Sequence, residues 1–215
     1  MFKAAMFDLA GTLIDTMGDL SFAMNEMLEH FGYPKRRKDE ITGFIGNGQR
    51  MFAMRSLPEY ARSEENIDVC TEYYAEVYSK NLLRSSCPYD GIPEALDAMK
   101  KSGMKLAVLS NKSDVHVQEI ISALFGDDFF DIVLGAGHFP TKPDPASVLY
   151  MAGKLGFAPS EIAFVGDSDV DIKTAQNAGM FSVGVSWGYR AREVLLSAKA
   201  DKIADTAPYL LNILM

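Results

Sequence analysis

Polar side chains able to do chemistry follow the apolar segments of this sequence, either directly or in the next loop. These segments have the length of buried strands, and each is followed by carboxylate, hydroxyl, amide or amine groups. The groups are Asp8 after residues 2–7, Ser110 and Asn111 after residues 105–109, Lys142 in the loop that follows residues 131–134, and Asp167 and Asp171 after residues 162–165. Because open α/β sheets bind ligands at the carboxyl ends of their strands, we expect these side chains to converge on one site.

This combination of groups suits the transfer of a phosphoryl group. A carboxylate such as Asp8 can attack phosphorus and carry it as an acyl phosphate until water releases it. The phosphate and the carboxylates repel each other, so a hard cation with oxygen ligands, such as Mg²⁺, must lie between them. Positioned donors and cations stabilise the remaining charge. We therefore expect Asp8, Ser110, Lys142 and Asp167 to share a phosphate and a metal ion.

Each group taken alone also has an ordinary structural explanation. A Ser-Asn pair after a strand is typical of a turn, and a lysine before proline is typical of a solvated loop. The acidic residues of GDSDVD suit a helix N-terminus, and Asp169 is interpreted in that way. Four such groups in this order, each at the end of a strand, favour a functional site.

Strand and helix patterns divide the chain into two parts. Residues 1–15 and 85–215 alternate short apolar strands with helices, which predicts a doubly wound parallel sheet and an α/β core. Between them, residues 16–84 repeat apolar side chains at helical spacing and contain no strand pattern. We therefore expect an α/β catalytic core with an inserted all-helical domain.

Composition narrows the partners and the location. Of the 215 residues, 48% are apolar, and the formal net charge is −8. This charge argues against nucleic acid as a partner, because phosphate backbones require a basic surface. No run reaches the length of a membrane span, no signal peptide precedes the first strand, and Cys70 and Cys87 show neither metal-binding nor disulfide spacing. We expect a soluble cytoplasmic protein that binds a small phosphorylated metabolite; the sequence carries no signal for a particular oligomeric state.

Several motifs together resemble the haloacid dehalogenase (HAD) superfamily, in particular its phosphoglycolate phosphatase-like branch. The resemblance covers nearly the whole chain and is carried by FDLAGT at 7–12, SNK at 110–112, TKPDP at 141–145, GDSDVD at 166–171 and SWGY at 186–189. It implies a Rossmann-like HAD core formed by residues 1–15 and 85–215, with a helical cap formed by residues 16–84. It also implies a Mg²⁺-dependent phosphomonoester hydrolase, with 2-phosphoglycolate as the leading substrate.

The resemblance assigns a role to each polar group. Asp8 matches the nucleophile that forms an aspartyl-phosphate, and Lys142 matches the lysine that pairs with both phosphate and nucleophile. Ser110 matches the phosphate-binding hydroxyl, with Asn111 beside it as a further donor. The implied magnesium ligands are Asp8, the main-chain carbonyl of Ala10, Asp167 and, through water or as an orienting partner, Asp171.

A glycine-rich segment in the helical part, FIGNGQRMF, is similar to the cap loop of that branch. There a Gly-x-Gly turn leans over the active site. Gly46 and Gly48 would allow the backbone to approach a small ligand, while Asn47 and Arg50 could donate to a substrate carboxylate. The alternative is an ordinary turn between two helices, capped by Gly46. We expect the substrate to be a small phosphorylated organic acid.

Ala10 departs from the resembling phosphatases, which carry a second Asp two residues after the nucleophile. That Asp protonates the leaving alkoxide and later deprotonates the attacking water, a contribution of ~10²–10⁴ in rate. Its absence, natural or introduced, implies impaired or altered turnover. One alternative is a phosphonoacetaldehyde hydrolase, which shares DxAGT and cleaves a C–P bond through a Schiff-base lysine of the cap; Gln49 and Arg50 stand in that loop here. The other is a catalytically weak phosphate-binding or regulatory protein.

Overall fold

The chain forms two compact units, and the computed structural model describes residues 2–45 and 48–215 of them. The first unit, here called the core unit, consists of Met1–Asp15 and Pro88–Met215. The second, here called the helical unit, consists of Thr16–Cys87. In the described ranges no helix is both long enough and apolar enough to cross a bilayer.

Strands and helices alternate through most of the core unit. In the described residues of both units together, the strands are β1 (Ala4–Phe7), β2 (Ile14–Asp15), β3 (Cys87–Pro88), β4 (Lys105–Ser113), β5 (Ile132–Ala136), β6 (Ile162–Gly166), β7 (Phe181–Val185) and β8 (Lys202–Ala204). The α-helices are α1 (Met17–His30), α2 (Lys38–Phe44), α3 (Gly48–Ser56), α4 (Glu64–Lys80), α5 (Ile92–Lys101), α6 (Asp114–Phe125), α7 (Ala146–Leu155), α8 (Asp169–Ala178), α9 (Arg192–Ser197) and α10 (Ala207–Leu214). Two short 3₁₀ helices cover Glu59–Ala61 and Pro159–Glu161.

Six strands form one parallel sheet in the order β5-β4-β1-β6-β7-β8, and β2 pairs with β3. The central strand is β1, in which Phe7 is level with Val108 of β4 and with Val165 of β6. All four residues of β1 are buried, as expected when helices cover both faces of a parallel sheet. This order confirms the predicted doubly wound α/β core and sets the carboxyl ends of β4, β1 and β6 side by side.

One face of the sheet is closed by α7 and α8. A buried cluster joins Met6, Leu109 and Phe164 of the three central strands to Met151 of α7 and Ala175 of α8. Burying an apolar side chain of the larger kind contributes roughly 1.5–3 kcal/mol, so this face is firmly packed. This packing joins α7 and α8 to the three central strands of the sheet.

The helical unit is built on the packing of α1 against α4. Met24 and Met27 of α1 and Tyr74 and Tyr78 of α4 are fully or almost fully buried, and the two tyrosine rings stack with their centroids 5.9 Å apart. These residues recur at helical spacing, so one face of each helix is apolar. Residues 16–45 and 48–86 contain helices and no strand.

A buried carboxylate, Asp19, ties the end of the helical unit to its first helix. It accepts hydrogen bonds from the main-chain N–H and the hydroxyl of both Ser85 and Ser86, at 2.5 to 3.2 Å. Four donors compensate for the burial of this charge. These bonds hold Ser85 and Ser86 to α1, and the helical unit runs to Cys87.

Candidate active site

Polar side chains of the core unit meet at the carboxyl edge of the sheet. Lys142 Nζ lies 2.6 Å from Asp8 Oδ1 and 2.7 Å from Asp171 Oδ1. Asp8, Asp167 and Asp171 each offer a carboxylate oxygen, and these oxygens all lie within 4.8 Å of one another. The exposed fraction of each of the four residues is at most 8%. The structure thus brings one ammonium and three carboxylates into a single buried cluster.

The ammonium of Lys142 is fully engaged in this cluster. Besides the two carboxylates, Nζ lies 3.4 Å from the main-chain oxygen of Leu109. Burial alone would lower the pKa of Lys142, but the negative charges of Asp171 and Asp8 outweigh it and raise that pKa. Lys142 therefore stays charged at any physiological pH and offsets one of the three carboxylates.

Two of the carboxyl groups, those of Asp8 and Asp167, lose their protons less readily than usual. Burial is the main cause that raises the pKa of Asp8 from 3.8 to about 6, with the charge of Lys142 opposing it and that of Asp171 adding to it. Burial, followed by the charges of Asp171 and Asp8, raises the pKa of Asp167 from 3.8 to about 8. A hard divalent cation prefers a few carboxylate oxygens as ligands, so this donor set fits Mg²⁺.

These raised pKa values predict how stability depends on pH and on Mg²⁺. A carboxyl whose pKa is higher in the folded than in the unfolded protein stabilises the fold at low pH and loses that effect as pH rises. Without metal, the contribution of Asp8 and Asp167 should therefore fall between about pH 4 and about pH 8. Bound Mg²⁺ would favour the ionised carboxylates, so any rise in Tm that Mg²⁺ causes should grow over the same range.

Thermal unfolding with Mg²⁺ and with a chelator, across that pH range, measures the effect. In Asp167→Asn the pH dependence of the metal-free Tm should become flatter, because the carboxyl with the more strongly raised pKa is gone. A Mg²⁺ effect that stays constant with pH would contradict the prediction.

Neighbouring groups fix the orientation of two of the carboxylates. Asp167 Oδ2 accepts from the main-chain N–H of Tyr189 at 2.7 Å, and its Oδ1 lies 3.4 Å from the Thr12 hydroxyl. Asp171 Oδ2 accepts from the Ser168 hydroxyl at 2.6 Å and from the Ser168 N–H at 3.1 Å, as part of the N-terminal cap of α8. The other oxygen of Asp171, Oδ1, accepts from Lys142 Nζ, and the other oxygen of Asp167, Oδ1, lies near the Thr12 hydroxyl.

Two glycines allow the loops after β1 and β7 to close around Asp167. Gly11 has a φ of +93°, and a Cβ on it would lie 2.5 Å from Asp167 Oδ2. A Cβ on Gly188 would lie 2.3 Å from both Asp167 Cβ and the Gly11 oxygen. Any larger side chain at either position would collide with the cluster, so the glycine of the FDLAGT motif has a direct steric explanation.

The loop after β7 also holds the loop after β1 through Trp187, whose Nε1–H donates to the Thr12 oxygen at 3.0 Å. In the sequence, Trp187, Gly188 and Tyr189 contribute to a family resemblance but carry no predicted role. Their position after a strand of the predicted sheet was the available signal. The main-chain N–H of Tyr189 donates to Asp167, and every residue except proline has such an N–H, so the type of residue at position 189 could not predict this contact.

Gly188→Ala is expected to disturb Asp167 and with it the binding of metal. The clash should cost about 1–3 kcal/mol of stability, as overpacking commonly does, and should abolish most of the Mg²⁺-dependent rise in Tm. Gly153→Ala is the matched control, because Gly153 lies in α7 with no atom within 4 Å of a Cβ. That variant should be neutral or slightly stabilised. Full Mg²⁺ stabilisation of Gly188→Ala would contradict the role given to this glycine.

Ser110 and Asn111 lie on β4 next to the cluster. Ser110 is buried, and its Oγ accepts from the Lys112 N–H at 3.3 Å. The side chain of Asn111 is exposed, and its amide bonds to the main chain of Lys142, with Lys142 N–H to Oδ1 at 2.9 Å and Nδ2 to Lys142 O at 3.1 Å. Their phosphate-binding roles stay predictions.

Ala10 lies two residues after Asp8 in a tightly hydrogen-bonded loop. The Leu9 oxygen accepts from the N–H groups of Leu13 and Ile14 at 3.0 and 3.1 Å, and Gly11 N–H donates to Ile14 O at 2.9 Å. Ala10 itself is partly exposed, and its methyl group can neither give nor take a proton. The role of its carbonyl as a metal ligand stays a prediction.

Of the substrate-binding residues predicted in the helical unit, Gly46 and Asn47 lie outside the described residues. Gly48 is the first residue of α3. The guanidinium of Arg50 binds two carboxylates of α4, donating from Nε to Asp68 Oδ1 at 2.8 Å and from Nη2 to Glu64. Arg50 thus already has acidic partners within the helical unit, and its contact with a substrate stays a prediction.

Comparison with known proteins identifies the family. Residues 5–185 match the family model of the haloacid dehalogenase-like hydrolases. The chain is 35% identical to a phosphoglycolate phosphatase of Haemophilus influenzae strain 86-028NP, over 99% of this chain and 98% of that protein. It is 36% identical to a phosphoglycolate phosphatase of Aquifex aeolicus, over 87% and 86% of the two chains.

A solved structure agrees with this result. The crystal structure of a predicted phosphoglycolate phosphatase from Haemophilus somnus 129PT superimposes with a TM-score of 0.92 at 34% identity, covering 100% of this chain and 98% of that one. The chain therefore belongs to the haloacid dehalogenase-like hydrolases. Within that family its relatives make it a phosphatase.

Proposed function

We propose that this phosphatase hydrolyses small phosphomonoesters with the help of Mg²⁺ and through an aspartyl-phosphate on Asp8. The observation that carries the proposal is the buried cluster in which Lys142 Nζ lies between Asp8 and Asp171 and three carboxylate oxygens lie within 4.8 Å. Such a cluster joins a nucleophile, a cation and a set of oxygen donors for a metal.

In the proposed reaction Asp8 attacks phosphorus while the ester P–O bond breaks. An acyl phosphate forms on Asp8, and the leaving alkoxide takes up a proton. Water then attacks the phosphorus, inorganic phosphate leaves, and the Asp8 carboxylate is restored. Bound Mg²⁺, held by Asp8, Asp167, Asp171 and the carbonyl of Ala10, would neutralise charge on the phosphoryl oxygens.

The charged and polar neighbours of Asp8 support the phosphoryl group in this proposal. Lys142 keeps its positive charge and would pair with a phosphoryl oxygen when substrate is bound. Ser110, buried at the end of the regular part of β4, would donate its hydroxyl proton to another oxygen. These groups stabilise charge and do not supply the proton that the alkoxide needs.

Ala10 makes this proposed turnover slow. No carboxylate stands at position 10 to carry out the two proton transfers of the reaction. Asp167 already accepts from Tyr189 N–H, and Asp171 accepts from Ser168 and Lys142. Water must then supply and accept these protons without general acid–base help. Slow hydrolysis of alkyl phosphates is the expected consequence.

The proposed substrate is a small phosphorylated organic acid, with 2-phosphoglycolate first. Relatives that align with nearly the whole chain are phosphoglycolate phosphatases, which supports this choice. Gly46, Asn47, Gly48 and Arg50 would contact the substrate carboxylate in this proposal. Arg50 would then exchange an acidic partner on α4 for the substrate.

Because Ala10 replaces the usual Asp, two other functions are alternatives to this proposal. A phosphonoacetaldehyde hydrolase needs an uncharged lysine for its Schiff base, which requires a lowered pKa. The helical unit has Lys35, Lys38 and Lys80, all exposed, and hydrogen bonds to Glu29 and Glu76 raise the pKa of Lys35 and of Lys80. These lysines disfavour C–P bond cleavage. A phosphate-binding protein without turnover shares the whole cluster and differs only in its kinetics.

Phosphate release from 2-phosphoglycolate and from a panel of alkyl and aryl phosphates tests the proposal. We expect release that requires Mg²⁺, stops on chelation and is absent in Asp8→Asn. Phosphonoacetaldehyde turnover that borohydride blocks by trapping a lysine would favour C–P cleavage instead. Thermal stabilisation by phosphate and Mg²⁺ without release from any ester would favour a binding protein.

A further inference from the structure

The side chain of Asn111 pairs with the main chain of Lys142 as a neighbouring strand would. Oδ1 accepts from Lys142 N–H at 2.9 Å, and Nδ2 donates to Lys142 O at 3.1 Å. Hydrogen bonds to both the N–H and the C=O of one residue fix its position and the orientation of its peptide planes. The amide of Asn111 therefore fixes the position of the Lys142 main chain, to which the Lys142 side chain is attached.

An irregularity in β4 brings Asn111 to this position. Leu109 pairs with Leu134 of β5, and Ser113 pairs with Ala136. Between these two pairs β4 advances by four residues while β5 advances by two, so β4 contains two extra residues there. Extra residues of this kind redirect side chains at the edge of a sheet. The apolar pattern predicts a strand that ends at residue 109, whereas β4 extends to Ser113, with Asn111 inside the irregular part.

The Lys142 side chain has little freedom to compensate for a displaced main chain. Its exposed fraction is 4%, and Nζ has Asp8, Asp171 and the Leu109 oxygen as acceptors. A misplacement of about 1 Å at a catalytic group can cost ~10²-fold in rate. We propose that Asn111 is a positioning residue that acts through Lys142, and that direct donation to phosphate is at most a secondary role.

This inference rests on the proposed function, in which Lys142 pairs with phosphate. An amide nitrogen has two N–H groups, and Asn111 uses one of them on Lys142, so the competing explanation is that the other donates to phosphate. Non-additivity separates the two explanations, because residues that act through one group do not have independent effects.

The test measures the affinity for inorganic phosphate by calorimetry with excess Mg²⁺ in the parent, Asn111→Ala, Lys142→Met and the double variant. We expect Asn111→Ala to weaken binding about 10-fold in the parent, equivalent to about 1.4 kcal/mol, and less than about 2-fold in the Lys142→Met background. An equal loss in both backgrounds would overturn the proposal and assign Asn111 to direct phosphate binding. No loss in the parent would overturn it as well.

Asn177 supplies a matched control. It is an exposed asparagine of α8 whose Nδ2 donates to the Pro143 oxygen at 2.9 Å, one residue beyond Lys142. Asn177→Ala therefore removes a tether from the same loop without touching Lys142. We expect its phosphate affinity and its turnover of an aryl phosphate to match the parent. A loss equal to that in Asn111→Ala would show only a general effect of loop tethering and overturn the proposal.

A crystal structure of Asn111→Ala tests whether Asn111 positions Lys142, and this test does not depend on the proposed function. The expected result is a displaced Lys142 main chain and an Nζ that has lost contact with Asp8 or Asp171. An unmoved Nζ would overturn the positioning role. If the parent binds no phosphate and hydrolyses no ester, the proposed function fails while this structural result still stands. Asn111→Ser replaces Asn111→Ala throughout if the latter does not fold.

Discussion

Replacing Ala10 with aspartate is expected to raise kcat for alkyl phosphates by ~10²–10⁴, the usual contribution of general acid–base catalysis. The loop that carries residue 10 is fixed by hydrogen bonds from Gly11, Leu13 and Ile14, and Ala10 is partly exposed. An added carboxylate therefore enters an ordered loop without being buried, two residues from the proposed nucleophile. Phosphate release from 2-phosphoglycolate with Mg²⁺ is the measurement.

The gain should depend on the leaving group. An alkoxide needs a proton in order to leave, whereas an acidic phenol does not, so the first step should improve far more for alkyl than for aryl phosphates. In the parent, an aryl phosphate should then phosphorylate Asp8 faster than water releases it. A burst of phenol release equal to the enzyme concentration, followed by a slow phase, is the expected kinetic pattern.

Ala10→Asn is the matched control for this prediction. Asparagine has nearly the same shape as aspartate but cannot transfer the proton, so its kcat should stay within a few fold of the parent. An Ala10→Asp variant that is no faster than Ala10→Asn on every ester of the panel would exclude the phosphatase mechanism proposed for Asp8.

Lys142→Met is expected to lower both stability and turnover. Removing one partner of a buried ionic cluster leaves uncompensated charge, which costs about 3–5 kcal/mol. Asp8 and Asp171 would then face each other without the ammonium that lies 2.6 and 2.7 Å from them. Loss of a preorganised charge-stabilising donor should also lower kcat by ~10²–10³. Denaturant unfolding and phosphate release measure the two effects.

The stability loss in Lys142→Met should shrink as pH falls. Without the lysine, Asp8 can relieve its repulsion with Asp171 by taking up a proton, since burial already raises the pKa of Asp8. Asp8→Asn is the control within the same cluster, because it removes a buried negative charge and leaves Lys142 paired with Asp171. It should lose all turnover and yet be at least as stable as the parent above about pH 6, where the buried Asp8 charge of the parent is unfavourable. Equal destabilisation by both substitutions would show that packing, not charge, dominates the cluster.

Much of this protein could be predicted from local sequence patterns. Apolar segments of strand length alternating with helical spacing indicate a parallel sheet, and the order β5-β4-β1-β6-β7-β8 agrees with that prediction. The polar groups after these strands also had to lie at one edge, because parallel strands have their carboxyl ends on the same side. The grouping of Asp8, Lys142, Asp167 and Asp171 follows from that geometry.

Short elements and main-chain contacts were not predictable in this way. The helix α10 and the short pair β2 and β3 received no prediction, because two to eight residues carry too little periodicity. The donation from Tyr189 N–H to Asp167 and the clash that keeps position 188 a glycine depend on loops that are distant in the sequence. No local pattern encodes such contacts.

The sequence by itself determined the class of fold, the family and the residue types at the sheet edge, because strand length, helical spacing and strand-end chemistry are local properties. Only the tertiary structure decided which partner each polar group has. Asn111 is paired with the main chain of Lys142, and Arg50 with two carboxylates of α4. The physical reason is that a side chain can meet several partners of matching chemistry, and the packing of distant segments selects among them.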